Sequence, residues 1–197
     1  MRRLTKEEFD LMEQQLETYV DLNNRVYDDA FHHPENYHFY GEVYEEGYES
    51  MRMMIKEALT VTNQPECYLI SGKFVYPQTF LYLFREEADV EERTDIAIEL
   101  ADVSQGLSHF LKVLHDISHK DVILESEMIY LFIPGGEVIL IGDHGLNLML
   151  VGIHKRMDLP ITKDYFQSFE GINRYETGEF LTKLDTALVK RVKQKYM

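Results

Sequence analysis

Cysteine is nearly absent, with Cys67 standing alone in a chain of 197 residues. No internal disulfide can form and a cysteine-rich structural zinc site is excluded, which fits a reducing cytoplasm. Long apolar runs are missing too, since nothing approaches the roughly 18 apolar residues of a membrane span. The opening MRRLTKEEFD meets acidic residues where a secretion signal needs an apolar segment, and there is no N-x-[ST] acceptor. The chain therefore reads as soluble, unprocessed and cytoplasmic.

Positive charge is scarce. Against 35 acidic residues stand 20 basic ones, for a formal net charge of -15 with histidines neutral. Such an excess argues against a nucleic-acid backbone or an anionic membrane as principal partner. Phosphate cradles of the G-x-x-x-x-G-K-[ST] and G-x-G-x-x-G types are absent, and so is a G-x-S-x-G nucleophile elbow. Cys67 precedes a strand-like apolar run with nothing nearby to lower its pKa, so it reads as a buried thiol. No cofactor is implied.

What is present is a pattern of short apolar elements within one expected domain, 1–197. Met128 to Ile153 is the most apolar stretch and predicts three strands, with turns at Pro134-Gly135-Gly136 and Gly142-Asp143-His144-Gly145. Thr5 and Glu8 form a capping box ahead of Phe9, Met12, Leu16, Tyr19, Val20, Val26 and Tyr27, predicting a helix from about Lys6 to Asp29 that His32-His33-Pro34 closes.

After a loop, Tyr44, Tyr48, Met51, Ile55 and Leu59 give a second amphipathic helix with Glu42, Glu45, Glu46, Glu49 and Glu57 on its other side. Glu66 to Val75 reads as a strand or short hairpin, followed by a short helix from Pro77 to near Glu87. Alternation at Ile96, Ile98 and Leu100 favours an outer strand with one wet face. Further helices are predicted over Gln105 to His119, Lys163 to Phe169 and Thr177 to Lys195, the last with Phe180, Leu184, Leu188, Val192 and Tyr196 on its apolar face. Together these make an α+β fold, a compact antiparallel sheet centred on the 128–153 meander and packed with N-terminal, middle and C-terminal helices.

Among candidates for chemistry, His115-Asp116-Ile117-Ser118-His119 is the sharpest, because histidines at i and i+4 share a helix face and could share a zinc ion. It resembles the H-E-x-x-H pattern of zinc metalloproteases. Asp116, however, replaces the glutamate that serves them as general base and is one methylene shorter. A metal-dependent hydrolase using His115 and His119 is thus the alternative reading, with Glu125 and Glu127 downstream as unassigned acids. The group His32, His33 and His38 lacks carboxylate and thiol ligands at an instructive spacing. At Asp143-His144, turn chemistry accounts for the aspartate.

Charge distribution is the one global signal. Residues 1–127 hold 27 acidic and 11 basic residues, whereas residues 128–197 hold 8 and 9. The excess is local, and a solvated surface that keeps the chain soluble is its plainest meaning. Concentrated on one face, it would also steer a basic partner. The leading expectation is a non-catalytic acidic binding protein that covers a basic protein through Glu42, Glu45, Glu46, Glu49, Glu86, Glu87, Asp89, Glu91 and Glu92. Immunity proteins or inhibitors that block the cleft of a nucleic-acid-acting toxin are one physical instance, and in general type the chain resembles small bacterial immunity and accessory proteins. A homo-oligomer joined through exposed Tyr and Met residues is a third reading.

Overall fold

A computed structural model describes residues 1–24, 26, 28–43, 47–71, 95–118, 128–143, 148–168, 190–192 and 194–196. In chain order these hold β1 (Arg2–Arg3), α1 (Lys6–Leu16), a 3-10 turn (Pro34–Asn36), β2 (Tyr37–Val43), α2 (Tyr48–Thr62), β3 (Glu66–Ser71) and β4 (Ile96–Glu99). There follow α3 (Leu100–Ser104), α4 (Leu107–Ser118), β5 (Met128–Phe132), β6 (Val138–Asp143), β7 (Leu148–His154), α5 (Pro160–Tyr165) and β8 (Gln167–Ser168). Residues 190–192 and 194–196 are helical. All strand pairs are antiparallel, and the sheet order is β1-β4-β3-β5-β6-β7-β2-β8. The fold is α+β, with the meander β5-β6-β7 inside the sheet as expected.

Side chains alternate across a strand, and here both faces are covered. Ile129, Leu131, Leu140, Met149 and Val151 pack with Met54 and Ile55 of α2, Val103 of α3 and Phe110 of α4. Their neighbours Met128, Tyr130, Phe132, Ile139, Ile141, Leu148 and Leu150 pack on the opposite face with Met12 and Leu16 of α1 and with Val192 and Tyr196. Each fully buried aliphatic side chain contributes about 1.5–3 kcal/mol, so this continuous apolar run is the main source of cohesion.

The β5–β6 reversal falls at Pro134-Gly135-Gly136, where both glycines have positive φ, 99° and 69°. Gly136 is constrained further, because a Cβ there would lie 2.4 Å from Cε1 of Tyr19. Only glycine lets that ring rest on the turn.

Several elements differ from the sequence expectation. The first helix stops at Leu16 and does not reach Asp29. Thr18, Tyr19 and Val20 bond back to Gln15 and Leu16 as the helix ends, and Val20 then forms a bridge with Phe31. Asp21 accepts from the Asn23 backbone N–H at 2.9 Å, which turns the chain back. Val20, Leu22 and Val26 still fill the core, so apolar spacing alone imitated a longer helix.

Tyr37 to Val43, expected as loop except for Glu42, which was expected on the second helix, is β2, paired along its length with β7. Gly142 and Asp143 belong to β6 and not to a turn. In β4, Ile96, Ala97 and Ile98 are all buried and only its last residue, Glu99, is exposed, so the two faces do not alternate; β1 lies outside it. Leu100 opens α3. Glu57, expected on the wet side of α2, is buried. Pro77 to Glu87 and Phe180, Leu184 and Leu188 lie outside the described residues.

The role of Glu57 follows from what α5 lacks. Leu159, at its N-cap, has no capping side chain, and Pro160 has no N–H. Glu57 reaches across from α2, where Oε1 accepts from Ile161 N–H at 2.8 Å and Oε2 accepts from Thr162 N–H and Oγ1–H, each at 2.6 Å. Removing it strands buried donors. Glu57→Ala is expected to lower unfolding free energy by about 2–4 kcal/mol, with Glu57→Gln in between because one acceptor oxygen survives. Urea unfolding measures both, and wild-type stability in Glu57→Ala would refute the cap.

Candidate functional site

Of the expected acidic contact residues, the structure describes Glu42 and Glu49, while Glu45, Glu46, Glu86, Glu87, Asp89, Glu91 and Glu92 lie outside the described residues. Glu42 is half-buried in β2 opposite Met149. Glu49 accepts from Arg52 Nε at 2.7 Å, and Arg52 also donates to the Val103 carbonyl, tying α2 to α3. The hydrogen bond from Arg52 holds the Glu49 carboxyl below its usual range.

The described end of the acidic segment Arg85 to Asp102 is structural as well. Asp95 is buried, and its Oδ1 accepts from Ser71 N–H at 2.9 Å. Glu99 and Asp102 form a capping box on α3, and Asp102 also takes the Met1 ammonium at 2.5 Å. Glu66 holds Arg2 at 3.1 Å. These carboxylates join elements.

Other acids face water. On α1, Phe9, Met12 and Leu16 turn toward the core, leaving Glu7, Asp10 and Glu17 exposed on the outer side. Leu11 is exposed beside them at 51%. Among the described residues no cation lies within ion-pair distance of these three acids, whereas Arg2, Arg52, Arg156, Lys163, Arg191 and Lys195 each lie against a carboxylate. Sequence reading placed the acidic face on α2 and Arg85 to Asp102 and passed over α1. The signal was available in the three- and seven-residue spacing of Glu7, Asp10 and Glu17 opposite the apolar stripe.

His115 lies exposed on α4, and His119 is outside the described residues. Among the described residues no group of three His, Cys, Asp or Glu side chains could hold a metal. No helix there is long and apolar enough to cross a membrane. His32 is bonded to the Glu17 carbonyl at 3.0 Å and His33 to Glu35 at 3.3 Å, while His38 is exposed on β2. Cys67 is fully buried, and burial pushes its thiol far above the ordinary value.

A recess of about 310 Å³ opens beside the β5–β6 turn, lined by Thr18 and Tyr19 after α1, His33, Asn36 and Tyr37 around the 3-10 turn, Gly135, and His154 and Arg156 after β7. None of these residues drew notice in the sequence as a group, because they come from four distant segments. Backbone bonds hold the wall in place, from His154 N–H to the Glu137 carbonyl at 2.8 Å and from Lys155 N–H to the Asn36 carbonyl at 2.9 Å. Tyr37, pushed up to about 12 chiefly by burial, donates its hydroxyl to the Gly136 carbonyl at 2.9 Å. Its ring meets that of His154 edge-on at 5.6 Å. Arg156 Nη2 contacts Glu137 Oε1 at 2.6 Å. His154 Nδ1 accepts from Arg156 N–H at 3.2 Å, which leaves the neutral ring's proton on Nε2. Burial, then the Arg156 charge, lowers the His154 pKa and favours that neutral ring.

A second recess of about 320 Å³ between α2 and α5 is lined by Met53, Lys56, Glu57, Thr60, Val61 and Ile161. Comparisons with protein-family models, curated proteins and solved structures found no match.

Two measurements test these assignments. Cys67 should resist an aromatic disulfide reagent at about pH 8 in the folded protein and react as one thiol once unfolded; rapid native labelling would refute its burial. Because Arg52 depresses the Glu49 pKa, their pairing stabilises the fold above the ordinary value of 4.5 and is lost as pH falls through the lower folded value. The stability gap between wild type and Glu49→Gln should accordingly be present at neutral pH and close in acid. A gap independent of pH would show that the pair is not its source.

Proposed function

We propose that the chain is a non-catalytic binding protein whose surplus carboxylates cover a basic protein partner. The observation that carries this reading is the outer side of α1 and its C-cap, where Glu7, Asp10 and Glu17 are exposed and no cation among the described residues lies within ion-pair distance of them. Excess negative charge of -15 supplies the long-range field, and the exposed Leu11 supplies apolar area within the acidic face. Glu42 and Glu49 and the acids Glu45, Glu46, Glu86, Glu87, Asp89, Glu91 and Glu92 belong to the proposed contact surface through charge alone. An inhibitor or immunity protein would work this way, placing carboxylates where a basic cleft receives phosphates. We place it in the cytoplasm, where a lone thiol stays reduced.

Affinity capture from the native host at low and high salt tests the reading. A basic protein should be recovered at low salt and lost at high salt, because steering is screened beyond about 8 Å at physiological ionic strength. With that partner, Glu7→Gln/Asp10→Asn/Glu17→Gln should slow association by about tenfold while leaving dissociation and melting temperature nearly unchanged. Recovery of no basic protein would overturn the reading, and an unchanged association rate would remove α1 from the interface.

A further inference from the structure

The recess beside the β5–β6 turn has a chemistry opposite to that of the chain around it. Among its described lining residues none is a carboxylate, although the protein carries a net charge of -15. Its donors are the Arg156 guanidinium, the Nε2–H of His154 and the Asn36 amide. Of the two neighbouring acids, Glu35 meets His33, and Glu137 meets Arg156 through Oε1 while its Oε2 is buried without a hydrogen-bond partner among the described residues. Arg156 spends one contact on Glu137 and, with its side chain 58% exposed, keeps further N–H groups for a second oxyanion.

Two hydroxyls add to the asymmetry. Those of Thr18 and Tyr37 donate to the backbone carbonyls of Gln15 and Gly136, so their protons are committed and the nitrogen groups are the donors left to a bound anion. Tyr19 supplies a half-buried aromatic wall, fixed because glycine at 136 leaves room for its ring against the turn. A volume of about 310 Å³ lies at the lower end of the range for small-molecule sites.

We propose that this recess binds a small organic oxyanion carrying a flat ring, with Arg156, Asn36 and His154 at the carboxylate or phosphate group and the ring against Tyr19. The site is separate from the outer face of α1 and does not depend on a basic partner. Its rigidity fits a binding role, because the wall is held by hydrogen bonds from His154, at the end of β7, to Glu137 just before β6 and from Lys155 to Asn36 of the 3-10 turn. The lowered pKa of His154 keeps its ring neutral, which leaves the fixed charge on Arg156 as the main attraction.

Titration of the full chain with benzoate, phenyl phosphate, inorganic phosphate and benzyl alcohol, followed by amide shifts in ¹⁵N–¹H spectra, tests the site. Benzoate or phenyl phosphate should give saturable shifts at Gly135, Gly136 and Arg156 below roughly 10 mM, and the comparison of the two shows which oxyanion is preferred. Benzyl alcohol and inorganic phosphate should bind at least about tenfold more weakly, each lacking one half of the recognised group. Arg156→Gln should weaken the ring-bearing anion by about tenfold or more, and Asn36→Ala by a smaller factor, both with wild-type melting curves. The proposal is overturned by absent saturation with both ring anions, by benzyl alcohol or inorganic phosphate binding as tightly as they do, or by a folded Arg156→Gln that binds like wild type.

Discussion

The interaction on which the structure rests is the burial of β5, β6 and β7 between two helical layers. Antiparallel sheets commonly leave one face wet, and their strands then alternate apolar with polar residues. Here successive residues from Met128 to Ile133 enter opposite cores, so the strand is apolar throughout. That arrangement has a cost in specificity. A one-residue slip exchanges the faces of a strand, and with both faces apolar the hydrophobic pattern alone resists it weakly. Register is held instead by the glycine turn at 135 and 136 and by Tyr37, whose hydroxyl ties β2 to that turn.

The acidic composition takes on two meanings once the chain is folded. Glu57, Asp95, Asp102 and Glu66 each join segments far apart in sequence, to α5, β3, the N-terminal ammonium and Arg2. Acids on the outer side of α1 join nothing among the described residues. Negative charge is therefore partly a fastening device and partly a field, and a count of carboxylates cannot separate the two. Burial and hydrogen-bond partners can. The recess near Arg156 sharpens the contrast, since acids that line other parts of the molecule are missing from its described wall.

Much of the architecture was legible in the sequence because it rested on period and turn chemistry. The meander, the Pro134-Gly135-Gly136 reversal, the Thr5–Glu8 cap and the stripe of α4 all depend on neighbours within a few residues. Errors came where distant residues decide. Val20, Leu22 and Val26 reach the core at helix-like spacing through a bridge and an Asx turn, and Tyr37 to Val43 becomes a strand because β7 offers it an edge. Glu57 looked like a wet carboxylate because its partners, Ile161 and Thr162, lie over a hundred residues away. The recess was illegible for the same reason: no local pattern links Tyr19, Asn36 and Arg156.

The pairing of β2 with β7 also bears on how the chain comes off the ribosome. Tyr37 to Val43 finds its partners in Leu148 to His154 and in Gln167–Ser168, whereas β5, β6 and β7 follow one another closely. Local pairings close cheaply and distant ones wait. An emerging polypeptide thus carries its second strand unpaired through most of synthesis, and Phe39 and Tyr40 wait for their sheet neighbours until the last quarter of the chain is made.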